Sequence, residues 1–151
     1  MSHSDKALEL FYSGYNCSQS VFAAFCDITG LSLSAALRMS QGLGGGVGRL
    51  RQTCGAFTGA VLVISMLYGS DKPGNDAKKA LYERVQALGA DFKAKYGTFS
   101  CRELLGEEAT DKPLPPQERT PEFYATRPCS KIIEYAAHIL DEYINKNEAV
   151  D

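Results

Sequence analysis

The chain carries no surplus of basic charge. Among its 151 residues, 16 Lys and Arg face 18 Asp and Glu, a formal charge of −2 with a pI near 5.7. A nucleic-acid binder shows a basic footprint, and attraction to an anionic membrane surface needs clustered Lys and Arg, so both partners are excluded. A long apolar run is missing as well. The longest uncharged stretch, Cys54 to Ser70, is interrupted by glycines and falls short of the ~20 apolar residues of a membrane span. The first residues, Met1-Ser2-His3-Ser4-Asp5-Lys6, lack the charged-then-apolar order of a secretory leader. The expectation is a cytoplasmic protein with no membrane insertion. No strand-like alternation, internal repeat or local C-x-x-C pair occurs.

What remains has the composition of an ordinary globular protein, 44% apolar and 23% charged. The length predicts one domain over residues 1–151. Its periodicity is helical almost throughout. A short amphipathic helix spans about 4–13. Asn16 caps a second over 17–29 that Gly30 closes, and Ser32 or Ser34 starts a third. Gly42 to Gly48 is too glycine-rich for a helix interior. Thr53 reads as the cap of a fourth helix, 54–68, apolar on every face and therefore expected at the centre. A long helix follows over 76–96, with Leu81, Val85, Leu88 and Phe92 on one stripe. Ser100-Cys101-Arg102-Glu103 has the form of a capping box. Residues 110–120 read as a proline-containing loop, 120–122 as the start of a short helical turn, and a final helix begins at Pro128 or Cys129. The fold class is all-α: a bundle of about five to seven helices around a central apolar helix, with a Gly-rich loop.

Five cysteines, at 17, 26, 54, 101 and 129, make an odd count that suits a secreted disulfide framework poorly. Four share one local position. Cys17, Cys54 and Cys101 each follow a capping residue, and Cys129 follows a proline. A sulfur at a helix start meets unpaired amides and the positive end of the dipole, and both favour the thiolate. Cys26 lies nine positions beyond Cys17, on the opposite helical face, and reads as structural.

Gly14-Tyr15-Asn16-Cys17-Ser18-Gln19, the glycine run with Gly48-Arg49, Cys54-Gly55-Ala56-Phe57-Thr58-Gly59, Ser100 to Gly106, and Cys129 together resemble the redox-active protein family named for its C…CGAxxG…C…C cysteine pattern. The resemblance spans Gly14 to Cys129 and implies redox use of Cys17, Cys54, Cys101 and Cys129. That family is similar to a domain attached to a multihaem cytochrome of anaerobic bacteria, where an iron–sulfur centre has been considered. No C-x-x-C-H motif is present here, so nothing implies haem.

Other chemistries fit less well. Arg49 follows Gly48 where a phosphate-binding loop needs lysine, and the G-x-G-x-x-G spacing fails. The loop is expected to be a flexible connector laying amides near Cys54, with Arg49 and Arg51 adding positive field. His3 reads as part of a disordered terminus and His138 as lying on a polar face, so a Cys–His hydrolase lacks its base. The leading expectation is electron transfer by an iron–sulfur cluster, with Cys17, Cys54, Cys101 and Cys129 as redox thiols and metal ligands. The alternatives are a metal-free thiol–disulfide protein using the same cysteines, a structural zinc site, and a helical interaction module with incidental cysteines. The redox partner and oligomeric state stay open. The four sulfurs are expected to converge, with Cys101 ionising first and Cys54 last.

Overall fold

Capping side chains fix most of the helix starts. In the computed structural model, which describes residues 1–106 and 115–148, Ser2, Asn16, Ser32, Ser100 and Thr120 each accept the backbone N–H three residues on. They open α1 (His3–Tyr12), α2 (Cys17–Ala23), α4 (Leu33–Ser40), α7 (Cys101–Leu105) and α8 (Pro121–Thr126). The other helices are α3 (Cys26–Thr29), α5 (Gly55–Tyr68), α6 (Asn75–Tyr96) and α9 (Cys129–Glu148), and a 3₁₀ turn covers Gln41–Leu43. The described residues thus hold nine α-helices and no sheet, more helices than the five to seven expected.

One extra helix comes from a break. The helix expected over 17–29 divides at Phe25, whose φ of −104° and ψ of 19° leave the helical region. Phe25 is fully buried and stacks on the His3 ring at 4.1 Å between centroids, so the turn trades helix continuity for a core anchor. His3 itself is not in a loose terminus. Its Nδ1 lies 2.6 Å from an Asp141 carboxylate oxygen and its Nε2 2.9 Å from Asp27, which ties α1 to α9 and α3. His138 pairs at 3.1 Å with Glu142 on an exposed face, as expected.

The most enclosed helix is α2, in which every residue from Ser18 to Ala23 is buried. The helix expected to be buried all round, α5, is buried along Gly55, Ala56, Gly59, Ala60, Val63 and Ile64, while Met66 is exposed. Its apolar residues partly cover the flank where α6 packs. Helices α2 and α5 cross closely because α5 presents glycine: a Cβ on Gly59 would lie 2.8 Å from the Ser18 carbonyl oxygen, and one on Gly55 would lie 3.3 Å from Cys17 Cβ. Helix α1 packs on α2 and α9, and α6 on α5 and α9. Ile133, Ala136, Ala137, Leu140 and Ile144 form the buried stripe of α9. Among the described residues no helix is long and apolar enough to cross a membrane. Residues 110–114 of the expected proline-containing loop lie outside the described residues.

Candidate redox site

Cys17 stands at the first position of α2 behind a reciprocal capping box: Gln19 N–H donates to Asn16 Oδ1 at 3.0 Å and Asn16 N–H to Gln19 Oε1 at 3.1 Å. Asn16 Nδ2 also donates to the Gln41 carbonyl at 2.8 Å, which fastens the glycine loop to this helix start. Cys129 opens α9, and the Ile132 amide reaches back to the Pro128 carbonyl at 3.2 Å. The thiols of Cys17 and Cys129 are near enough that each is the largest influence on the other's ionisation. Both are partly exposed.

Cys54 and Cys101, both buried, meet through the backbone. Thr53 and Ser100 form an isolated antiparallel bridge, closed by Cys54 N–H to Phe99 carbonyl at 2.7 Å and Cys101 N–H to Gln52 carbonyl at 2.6 Å. Side chains alternate across an extended segment, so the two cysteines leave the bridge on the same side. Cys54 is itself the N-cap of α5 rather than its first residue, replacing the Thr53 cap expected from sequence. The capping at Cys101 is also indirect. Ser100 accepts the Glu103 amide at 3.3 Å, while the Thr98 hydroxyl, which accepts Ser100 N–H at 3.0 Å, bonds the Glu103 carboxylate.

The glycine loop is ordered by its own hydrogen bonds. The amides of Val47, Gly48, Arg49, Leu50, Arg51 and Gln52 all donate to carbonyls within residues 42–47. They are therefore not the sulfur-facing nest expected near Cys54. The loop contributes close packing and a guanidinium instead. Gly46 lies so near that a Cβ on it would be 2.6 Å from Cys101 Cβ, and the largely buried Arg51 places Nη1 3.7 Å from Cys101 Sγ.

These surroundings divide the thiols. Cys129 is drawn down from 9.0 to about 7, chiefly by the hydrogen bond from Cys17, against its own burial, with Arg127, Arg119 and Arg51 adding positive charge. Cys17 is pushed well above the ordinary value, first because its proton is held by that bond to Cys129, then by burial and the charges of Cys129, Cys54 and Cys101. Burial pushes Cys54 up to about 11, offset in part by the amides of Phe57 and Ala56. Cys17 thus feels all three of the others, and Cys54 feels Cys101 and Cys129. Of Cys17, Cys54 and Cys129, the lowered thiol is Cys129, with Arg119 and Arg127 close upstream of its helix among the causes. Cys54 holds its proton tightly as expected, in company with Cys17. Cys26 stands apart on α3, with burial raising its pKa.

The iron–sulfur expectation fails on ligand geometry. Among the described residues no group of three or more His, Cys, Asp or Glu side chains is placed to hold a metal ion, whereas such clusters and structural zinc sites take four protein ligands. The thiols of Cys17 and Cys129 engage each other, and Cys101 meets Arg51. Cys17, Cys54, Cys101 and Cys129 are therefore not a metal-ligand set. All five cysteines are free thiols.

No curated protein and no solved structure matches the chain. The family described as "Putative redox-active protein (C_GCAxxG_C_C)" matches residues 15–143. Its name writes glycine before the second cysteine, whereas this chain reads Cys54-Gly55-Ala56; here Gly55 occupies the position where α5 crosses α2. With the match running over most of its length, the chain belongs to that family.

Proposed function

We propose that this protein is a metal-free dithiol–disulfide redox protein in which Cys129 attacks and Cys17 resolves. The feature that carries the reading is the pairing of these two thiols at the starts of α2 and α9, each the largest influence on the other's ionisation, with Cys129 lowered to about 7 and Cys17 pushed up. An attacking thiol works best when its pKa lies near ambient pH, because a lower value sacrifices nucleophilicity and a higher one sacrifices thiolate. The Cys129 thiolate attacks one sulfur of a substrate disulfide RSSR, forming a mixed disulfide and releasing RS⁻. The Cys17 thiol gives up its proton to that leaving thiolate. Its own thiolate then attacks Cys129 Sγ, and the second RS⁻ leaves and takes a proton from water. Two electrons pass from the dithiol to the substrate, yielding two RSH and a Cys17–Cys129 disulfide. Cys54 and Cys101 form the buried part of the same redox-thiol set and set the field around the pair.

The test is equilibration of the protein in graded mixtures of reduced and oxidised dithiothreitol, followed by acid quench, alkylation and peptide mass spectrometry. The expected result is a two-electron transition that loses the Cys17 and Cys129 thiols together. Oxidation that never joins these two residues would overturn the proposal.

A further inference from the structure

A cleft of about 530 Å³ opens beside the Cys129 helix start. Leu105 at the end of α7 and Pro128, immediately before Cys129, form two of its walls. Phe123 also lines it, and its polar lining carries charge of both signs, Arg127 with Glu118 and Glu122. The Arg127 guanidinium sits 5.1 Å from the centre of the Phe123 ring and donates to Gln117 Oε1, so it is held in place rather than sweeping through solvent. The two glutamates are exposed. This volume falls in the range of small-molecule sites, and a planar guanidinium fork is the side chain best shaped for a carboxylate. Carboxylates lining the same cleft suit an ammonium group.

We infer that this cleft binds the substrate of the thiol pair, and that the substrate is a small zwitterionic disulfide of amino-acid or short-peptide type. Arg127 takes its carboxylate, Glu118 and Glu122 take its ammonium group, and its disulfide is presented to Cys129 beyond Pro128. This rests on the thiol–disulfide reading above and adds the substrate class. The chemistry is the exchange already written, with RSSR as the oxidant. A disulfide with charge of one sign alone leaves part of the lining unpaired, so selectivity comes from the combination.

The test compares initial rates of oxidation of the reduced protein by four disulfides at equal concentration. These are cystine (zwitterionic), dithiodiglycolate (anionic), cystamine (cationic) and hydroxyethyl disulfide (neutral). The site of attack is read by mass spectrometry at Cys129. Cystine is expected to react about tenfold faster than hydroxyethyl disulfide after correction for each reagent's intrinsic reactivity with a free thiol, a factor worth about 1.4 kcal/mol. Because Arg127 also acts on Cys129 itself, the variants are judged by rate ratios. Arg127→Ala should erase the preference for dithiodiglycolate over hydroxyethyl disulfide, and Glu118→Gln with Glu122→Gln should erase that for cystamine. Equal corrected rates for all four reagents, or ratios unmoved by these variants, would overturn the cleft assignment while leaving the thiol pair standing. Failure of every reagent to oxidise Cys129 and Cys17 would instead remove the redox reading itself.

Discussion

Replacing Cys17 tests the source of Cys129's reactivity, because alanine deletes the donor while serine keeps one. The Cys17 thiol is the largest single influence holding Cys129 down at about 7. Without it, burial opposes ionisation and only the arginines favour it, so in Cys17→Ala the value should return to about 9. At pH 7 the thiolate fraction then falls from about one half to about one hundredth, a factor of about 50. Nucleophilicity partly compensates, since a two-unit rise in pKa at a Brønsted slope of about 0.4–0.5 gains about 6–10-fold. The net expectation is a rate about fivefold to eightfold lower in Cys17→Ala, with Cys17→Ser close to the parent protein. The assay is the initial rate of Cys129 reaction with dithiodipyridine from pH 5 to 10, with the modified site assigned by mass spectrometry and folding checked by circular dichroism. An unchanged Cys129 titration in folded Cys17→Ala would refute the reasoning, as would identical behaviour of the alanine and serine variants.

The reduced protein should show opposed pH limbs in stability. Cys129 is lowered in the folded state, so its contribution is complete above the unfolded value of 9.0, and denaturation midpoints should rise between about pH 7 and 9. Cys54 is raised to about 11, so its contribution is present below pH 9 and is lost as pH climbs to 11, roughly 2–3 kcal/mol in all; Cys54→Ala should lessen the alkaline fall in urea titrations, leaving the part that the raised Cys17 contributes, and an undiminished fall in the variant would count against it. Gly59→Ala forces a methyl to 2.8 Å from the Ser18 carbonyl and should cost about 1–3 kcal/mol by overpacking, read as a lower thermal midpoint; an unchanged midpoint would mean that α2 and α5 are free to separate. Cys26→Ala should leave the Cys17–Cys129 redox transition where it was, and a shift in its midpoint would place Cys26 inside the site.

Helix starts were legible because they are local chemistry. Asn16, Ser32 and Ser100 each announce themselves by side chains that accept an amide three residues on. The placement of Cys17, Cys101 and Cys129 at helix starts follows from the same local rule. How the sulfurs associate was not legible, because it depends on contacts between residues far apart in sequence. The bridge from Thr53 to Ser100 and the meeting of α2 with the start of α9 leave no periodic trace. Symmetric placement at four helix starts suggested a shared metal, and only the geometry shows that no ligand cage forms among the described residues. His3 was misread for a related reason: its partners, Asp27 and Asp141, come from two other helices, so nothing beside it in the chain points to them. The break at Phe25 likewise answers to a ring stacked from α1, not to any breaker in the local sequence.

The glycine loop shows how connecting segments add to what the helices place in this molecule. Gly45, Gly46, Val47, Gly48 and Arg49 are consecutive residues of positive φ, and Arg51 adds another at 58°. For a valine or an arginine this is costly, of order 1–3 kcal/mol each, and such backbone persists only where its surroundings hold it. Here they do: six loop amides find carbonyls within the loop, Asn16 bonds Gln41, and Arg49 donates to the Pro115 carbonyl. What the contorted path achieves is a largely buried guanidinium at Arg51, beside Cys101 and within range of Cys129. The other two arginines that act on Cys129 belong to the chain over 115–128, where Arg119 donates to the Tyr15 carbonyl at 3.2 Å and stands 4.5 Å from the centre of the Phe123 ring. The helices therefore bring Cys17 to Cys129, the chief cause of that thiol's acidity, while connecting segments add positive charge to it. Substitution in those segments can retune the thiol without dismantling the bundle, and the Arg49–Pro115 contact makes the two segments one electrostatic unit over the site.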